Sequence, residues 1–456
     1  MIPPRRRGVC PSLAAPMQTG DGLLARITPS GATIPLDAVT ALCAAARRHG
    51  NGIVEVTARG SIQVRGLTPQ SAPAFAVEME SVAIDATDGV PVVVNPLAGL
   101  ESGEAVDAGQ LARELRAAAL AAGLKGRLAP KVSVAIDAGG ALNLDALPAD
   151  VRLHAETGVD GAQIHIALGG DAASAVCIGT IAPNDAVEAA TRLLAVLAAR
   201  GPTARSRAVI GAEGDAPFHS AIAEFLIHAD RCDPGDRRSP RPRAESIGLH
   251  ALRDGTIALG IGLAFGQTDV DAVDHLVEAA REARACGLRS APDRMLLIVG
   301  LEPQNAGALA AVADSLGFVT NAGDPRRSIA ACPGAPLCAC ATMPTRALAP
   351  AVAIAAEPML DGSLSIHLSG CVKGCAHPAP AALTIVGADD RCGLVVNGAG
   401  QDRPAIELAA DALPASLARL AASCTAERRP GENAAAVLSR LGAAGVAAIL
   451  AESPHA

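Results

Sequence analysis

Apolar and polar positions alternate with period two in Leu364-Ser365-Ile366-His367-Leu368, which predicts a strand. Helical spacing predicts helices at Leu36 to His49 and Asp269 to Cys286, each set between strand patterns. Asp21-Gly22-Leu23-Leu24-Ala25-Arg26 leads into the first, which is followed by a strand ending Val64-Arg65-Gly66-Leu67. Asp254-Gly255-Thr256-Ile257-Ala258-Leu259 leads into the second, which is followed by Met295 to Leu301. The same plan thus recurs at an offset of about 234 residues.

The stretches between repeat as well. Val132-Ser133-Val134-Ala135-Ile136 stands about 232 residues before Leu364 to Leu368, and Gly161 to Ile166 the same distance before Gly393 to Gly398. Each portion closes on an alanine-rich helical pattern, Pro183 to Arg200 and Ala405 to Ala422. Several matches at one offset indicate duplication and predict a pseudo-two-fold α/β molecule with its active site between the halves. The charged, proline-rich run Arg231 to Arg243 between them reads as a linker or exposed loop.

Composition narrows the chemistry. At 456 residues, half of them hydrophobic, the chain can bury several cores, yet it has no Trp or Tyr, so Ala and Val must fill them. A net charge of -8 and the lack of stacking platforms argue against nucleic acid as a partner. The basic start, Met1 to Pro11, has no apolar segment after it, and no apolar run is expected to reach the roughly 18 residues that span a bilayer. No membrane partner and a cytoplasmic location are expected. Twelve cysteines in such a chain favour metal binding and reduced thiols over a disulfide framework.

Four of these cysteines form two tight pairs, Cys332-x5-Cys338 and Cys371-x3-Cys375, each in a glycine- and proline-rich turn. Such turns bring thiolates together around an iron–sulfur cluster, and the spacings suit zinc knuckles poorly, although structural zinc is the competing reading. Cys340 reads as a nearby thiol outside the ligand set. Cys10, Cys43, Cys177, Cys232, Cys286, Cys392 and Cys424 have no partner spacing and read as small buried hydrophobes or reduced surface thiols. The matching turn of the first half, Asp137-Ala138-Gly139-Gly140, has no cysteine. One half is therefore expected to hold metal and the other to shape the pocket.

The cysteine spacings, the duplication and Thr57-Ala58-Arg59-Gly60-Ser61-Ile62-Gln63-Val64-Arg65-Gly66 together resemble the sulfite/nitrite reductase superfamily. Within it the chain is most similar to the precorrin-3B synthases. That resemblance runs from Arg7-Gly8-Val9-Cys10-Pro11 through Asn95-Pro96-Leu97-Ala98-Gly99 and Phe265-Gly266 to Ser369-Gly370-Cys371-Val372-Lys373-Gly374-Cys375-Ala376-His377-Pro378. Reductases carry Pro-Asn-Gly between the last two cysteines and Arg-Pro after them, where this chain has Val372-Lys373-Gly374 and His377-Pro378. Of the reductases' Lys-x-Lys strand only Lys131 remains, with Ser133 in the second place, and the arginine expected near Asp88-Gly89-Val90-Pro91 is missing. Fewer cations suit a larger substrate than sulfite.

The resemblance implies an internally duplicated α/β (α+β) fold. Its parts would be a ferredoxin-like half-domain at 15–80, a reductase-like α/β domain at 81–230 and a linker at 231–246. A second ferredoxin-like half-domain would follow at 247–320, an iron–sulfur-binding α/β domain at 321–425 and a helical tail at 426–456. It implies a monooxygenase that uses O2 to hydroxylate precorrin-3A at a meso carbon and closes a lactone. A [4Fe-4S] cluster on Cys332, Cys338, Cys371 and Cys375 would relay electrons. A second iron would be mononuclear and non-haem, with Cys375, His367 or His377 as candidate ligands. The alternative is a sirohaem-dependent sulfite or nitrite reductase, in which Cys375 bridges to the sirohaem; a non-catalytic metal protein is a third. No glycine-rich dinucleotide fingerprint follows a predicted strand, so NAD(P)H-derived electrons would come through a partner protein.

Arg59 and Arg65 read as projecting from one face of a strand, where their guanidiniums could grip substrate carboxylates. Lys131 and Arg59 are the candidate catalytic cations. Arg294, the duplicate's counterpart of Arg59, would face the other side of the pocket, and Lys373 would tune the cluster.

Overall fold

The computed structural model describes residues 11–84, 89–159, 161–228, 241 and 244–451. The linker expected at 231–246 lies largely outside them, as do the basic start, Cys10, Cys232 and Asp88.

The first unit is β1 (Met17–Thr19), β2 (Gly22–Ile27), α1 (Leu36–His49), β3 (Ile53–Val56), β4 (Ile62–Leu67) and α2 (Ser71–Ser81). Helix α1 has the predicted bounds. Asp37 in its first turn and Arg47, Arg48 and His49 in its last complement the helix dipole, while Leu42, Cys43 and Ala46 are buried on its inner face. The second unit runs β5 (Val92–Val94), α3 (Ala108–Ala121), β6 (Val134–Asp137), β7 (Ala149–Gly158), β8 (Gly161–Gly170), β9 (Val176–Ile181), α4 (Ala186–Ala199), α5 (Ser206–Glu213), α6 (Ala216–Ile222) and β10 (Leu226–His228).

The third unit repeats the first: β11 (Gly248–Ala251), β12 (Ile257–Gly262), β13 (Gln267–Asp269), α7 (Val270–Glu282), β14 (Gly287–Ala291), β15 (Met295–Leu301) and α8 (Ala306–Ser315). The fourth repeats the second: β16 (Ile329–Ala331), α9 (Thr345–Ala356), β17 (Ile366–Ser369), β18 (Ala381–Ala388), β19 (Arg391–Gly398), β20 (Ile406–Ala409), α10 (Leu413–Ala426) and α11 (Ala434–Ala451).

The two halves exchange strands. Ahead of α1, Ile34 bridges to Leu288 of β14; ahead of α7, Thr268 of β13 pairs with Val54 of β3. Each partner of one pair lies 234 residues from its counterpart in the other, so the pseudo-two-fold relation is written into the hydrogen-bond register. The first and third units consequently share one core, in which Leu42 and Phe75 join Leu276, Ile298 and Leu309. They form one joined body. The second and fourth units have their own cores. In each, three parallel strands continue into antiparallel ones: β5, β6 and β7 then β8, and β16, β17 and β18 then β19.

Three expectations need correction. The segment Ala405 to Ala422 is not one helix: Ile406 to Ala409 pairs with β19 as an edge strand, and α10 begins at Leu413 with Pro414 in its first turn. Pairing with a neighbour outweighed local alanine propensity. Helix α7 is shorter than the expected 269–286: Asp269 is its N-cap, accepting from Ala272 N at 2.8 Å, and the helix stops at Glu282, ahead of Arg284 at φ +60° and of Gly287, which opens β14. The segment after 426 is helical as expected, through α11, but it is packed against the fourth unit rather than trailing from it. Ala434, Val437 and Leu438 of α11 are fully buried in the fourth unit's core beside Leu417 and Leu420. Among the described helices α11 alone is long and apolar enough to cross a membrane by length and composition, Arg440 and Ser439 notwithstanding.

Cysteine usage also departs from expectation at one position. Cys43, Cys392 and Cys424 are buried free thiols and Cys286 an exposed one. Cys177, however, is disulfide-bonded.

Candidate functional site

The parallel strands β16 and β17 end side by side, so Cys332 and Cys371 leave the same edge of the sheet, where open α/β sheets place their ligands. Backbone hydrogen bonds lock the two turns together. Cys332 N donates to Leu368 O at 3.1 Å, Thr342 N to Gly370 O at 2.9 Å, and Gly370 N to the Cys332 sulfur at 3.1 Å. Within the first turn Cys338 N donates to Gly334 O at 2.7 Å. Burial pushes the Cys338 thiol pKa up, and the nearby Cys340, Cys332 and Cys371 thiols push it further. Lys373 answers that charge: its Nζ donates to Cys340 Sγ at 3.0 Å, and Cys371 and Cys375 lie within its field.

Thiols carried on two interlocked turns, with a backbone N–H directed at sulfur and an ammonium among them, fit an iron–sulfur cluster as a donor set. Among the described residues no three His, Cys, Asp or Glu side chains converge as the ligands of a single ion would. A cubane spreads its thiolates over four irons, so this bears on the second iron rather than on the cluster. His367 and His377 do meet, with ring centroids 5.8 Å apart. No carboxylate completes a facial triad with them among the described residues, so the pair as placed does not fit that ligand set. His367 is nevertheless unusual. It is fully buried on β17, neither ring nitrogen has a hydrogen-bond partner, and burial pulls its pKa down to about 4, helped by the charges of His377 and Arg294.

Arg59 and Arg65 do not share a strand face. Arg59 lies in the turn between β3 and β4, and that turn packs on its duplicate: Arg59 bridges to Pro292, Asp293 N donates to Ala58 O at 3.1 Å, and Ser290 Oγ donates to Gly60 O at 2.6 Å. Gly60 has φ +81° and a Cβ there would stand 3.0 Å from the backbone of Ala291, so only glycine allows this approach. Arg59 borders a cavity of about 190 Å³ with Asn143, Leu147, Pro148 and Asp293, and its Nη2 donates to Pro148 O at 3.2 Å. Arg294 crosses toward the cysteine turn, where its Nη2 donates to Ala376 O at 3.3 Å; burial lowers its pKa. Lys131 is exposed in the turn before β6 rather than on the strand.

Arg65 is committed elsewhere. It is 1% exposed and its guanidinium is taken up by Asp21, Glu55 and the carbonyl of Leu337, beside Cys338. Its expected grip on substrate carboxylates is therefore replaced by internal ion pairs.

Sequence reasoning missed the partners of this arrangement. Arg346, on α9, reaches Glu55 at 2.5 Å and Gln267. In the duplicate position Arg289 Nη1 donates to Ala98 O at 2.7 Å and its Nε to Thr33 Oγ1 at 3.0 Å; burial lowers its pKa to about 10. Glu55 and Arg289, and likewise Gln267 and Thr33, are 234 residues apart. The two halves thus clasp their α/β units at equivalent positions with opposite charge. The offset itself was the available signal, since it aligns Glu55 with Arg289.

The family model for the nitrite/sulfite reductase ferredoxin-like half domain matches residues 15–82. Among solved structures, the NirA protein of Mycobacterium tuberculosis superimposes with a TM-score of 0.76 at 18% identity, covering 93% of this chain and 84% of that one. This likeness is one of fold. A precorrin-3B synthase of Sinorhizobium sp. is 41% identical over 444 residues, which is 97% of this chain and 94% of the relative. The chain belongs to the precorrin-3B synthase family, enzymes of the sulfite/nitrite reductase superfamily.

Proposed function

We propose that this chain is a precorrin-3B synthase-like monooxygenase that takes precorrin-3A and O2, inserts one oxygen atom as a hydroxyl at a meso carbon and closes an acetate side chain to a lactone. The observation that carries this reading is the 41% identity to a precorrin-3B synthase across 97% of the chain. The sulfur-rich corner at the strand ends supports it. Cys332, Cys338, Cys371 and Cys375 would hold a [4Fe-4S] cluster, which when bound supplies single electrons. Two such electrons, originating in NAD(P)H and arriving through a partner protein, would with two protons reduce the second oxygen atom of O2 to water.

The chain's own residues have the binding and positioning tasks. Arg59, on the rim of the cavity where the duplicated turns meet, would grip a carboxylate of the tetrapyrrole, a pairing that its planar guanidinium suits. Lys131 supplies a second, exposed cation for the same purpose. Arg294 holds the Cys375 turn through Ala376 and carries positive charge toward His367. A nearly aromatic-free chain must pack the macrocycle with aliphatic side chains, leaving its orientation to these cations. His367, His377 and Cys375 would be the candidate donors to a second iron.

The match of residues 15–82 to the nitrite/sulfite reductase ferredoxin-like half domain supports the alternative of a sirohaem-dependent reductase. Anaerobic purification separates the two. Iron, acid-labile sulfide and an absorption spectrum without sharp haem bands, together with incorporation of one atom from labelled O2 into precorrin-3A, would establish the monooxygenase. Sirohaem bands and sulfite or nitrite reduction would establish the reductase instead.

A further inference from the structure

The half of the chain that has no cluster cysteines holds the Cys338 turn, and it does so with a buried charge. Arg65 Nη2 donates to Leu337 O at 2.8 Å. Its Nε and the same Nη2 are anchored on Asp21, at 3.0 and 2.7 Å, and its Nη1 on Glu55 at 3.2 Å. Leu337 O also accepts from Gly20 N at 3.0 Å. A Cβ at Gly20 would stand 2.2 Å from Pro336 O and 3.0 Å from Cys338 N, so backbone lies directly on backbone. Glu55 in turn pairs with Arg346, which follows Thr345, and Thr345 Oγ1 donates to Cys332 O at 2.6 Å. One ladder therefore reaches both halves of the first cysteine pair.

Buried ion pairs contribute little net stability, because desolvation offsets attraction, so stability alone gives a poor reason for four charges here. Their geometry gives a better one. We propose that Arg65 is a positioning residue: with Gly20 it fixes the Cys338 turn, so that the first half of the chain sets how firmly, and in what electrostatic environment, Cys338 ligates the cluster. This rests on the cluster reading of the four cysteines.

The test uses the full-length protein purified anaerobically, with R65Q, R65K and, from the other side of the same contact, G20A. Iron and sulfide content, the cluster's midpoint potential, its electron paramagnetic resonance signal and the rate of iron loss in air are measured for each. Outer partners of metal ligands typically matter by about 10–100-fold in metal affinity. R65Q is expected to lose iron about ten-fold faster than the unmodified chain and to shift the potential, with R65K between them, since it restores the charge without the bidentate geometry. G20A is expected to lose iron faster with Arg65 intact. Folded R65Q and G20A with unmodified iron content, potential and signal would overturn the proposal. If R65Q does not fold, G20A decides it by the same criteria. Absence of sulfide from the unmodified chain would sink the cluster reading itself, an outcome read before any variant is made.

Discussion

Asn95 accepts at Oδ1 a 2.6 Å hydrogen bond from the backbone N–H of Ala138, the contact that the Cys332 sulfur makes with Gly370 N in the other half. Asn95 follows β5 as Cys332 follows β16, and a proline comes next in both. The first half has thus kept the frame of the cysteine corner and filled it with polar side chains. Asn95 Nδ2 donates to Asp137 at 3.1 Å, and Arg241 donates to Asp137 at 2.5 Å and to Asp145 at 3.1 Å.

Exchanging these positions should separate the two roles. Cys332→Asn is expected to abolish the cluster, seen as loss of iron and acid-labile sulfide. Asn95→Ala should leave both unchanged while costing about 1–3 kcal/mol of stability, because buried groups lose their partner. Equal iron loss in the two variants would contradict the assignment.

Arg59→Ala should weaken use of the tetrapyrrole. A hydrogen bond to a charged group contributes about 1.5–3 kcal/mol, which corresponds to roughly 10–100-fold in kcat/KM. Steady-state kinetics checks this, and an unchanged value would remove Arg59 from the substrate site.

Glu55→Gln should be among the more damaging surface-sparing changes. Glu55 is 5% exposed and stands between Arg65 and Arg346, so neutralising it leaves two buried guanidiniums short of countercharge. Breaking such a pair costs about 3–5 kcal/mol. Urea unfolding would show it, and a midpoint within error of the unmodified chain would refute it.

Acid should loosen the first half's polar corner. Burial alone would raise the Asp137 pKa, but the neighbouring His154 ring, the Arg241 charge and the N–H groups of Leu144 and Gly139 outweigh it and hold the carboxyl below its usual 3.8. A carboxyl depressed in the folded state stabilises fully above the unfolded value and loses that contribution as pH falls below it. Stability is therefore expected to drop below about pH 4, and Asp137→Asn to flatten that part of the curve while lowering stability at neutral pH. Identical acid profiles would exclude Asp137 as a contributor.

The sequence by itself determined the duplication, the paired cysteines and most elements, because these depend on local periodicity and spacing. Leu36 to His49 and Met295 to Leu301 were legible for that reason: their burial follows from pattern alone. Where side chains point, and what they meet, depends on segments far apart in the chain. Only the tertiary structure placed Arg65 between Asp21 and Leu337, turned Ile406 to Ala409 into an edge strand and folded α11 into a core. A buried arginine and a gripping one look alike in sequence. What separates them is whether a carboxylate from a distant turn arrives to satisfy the charge, and that is settled by packing.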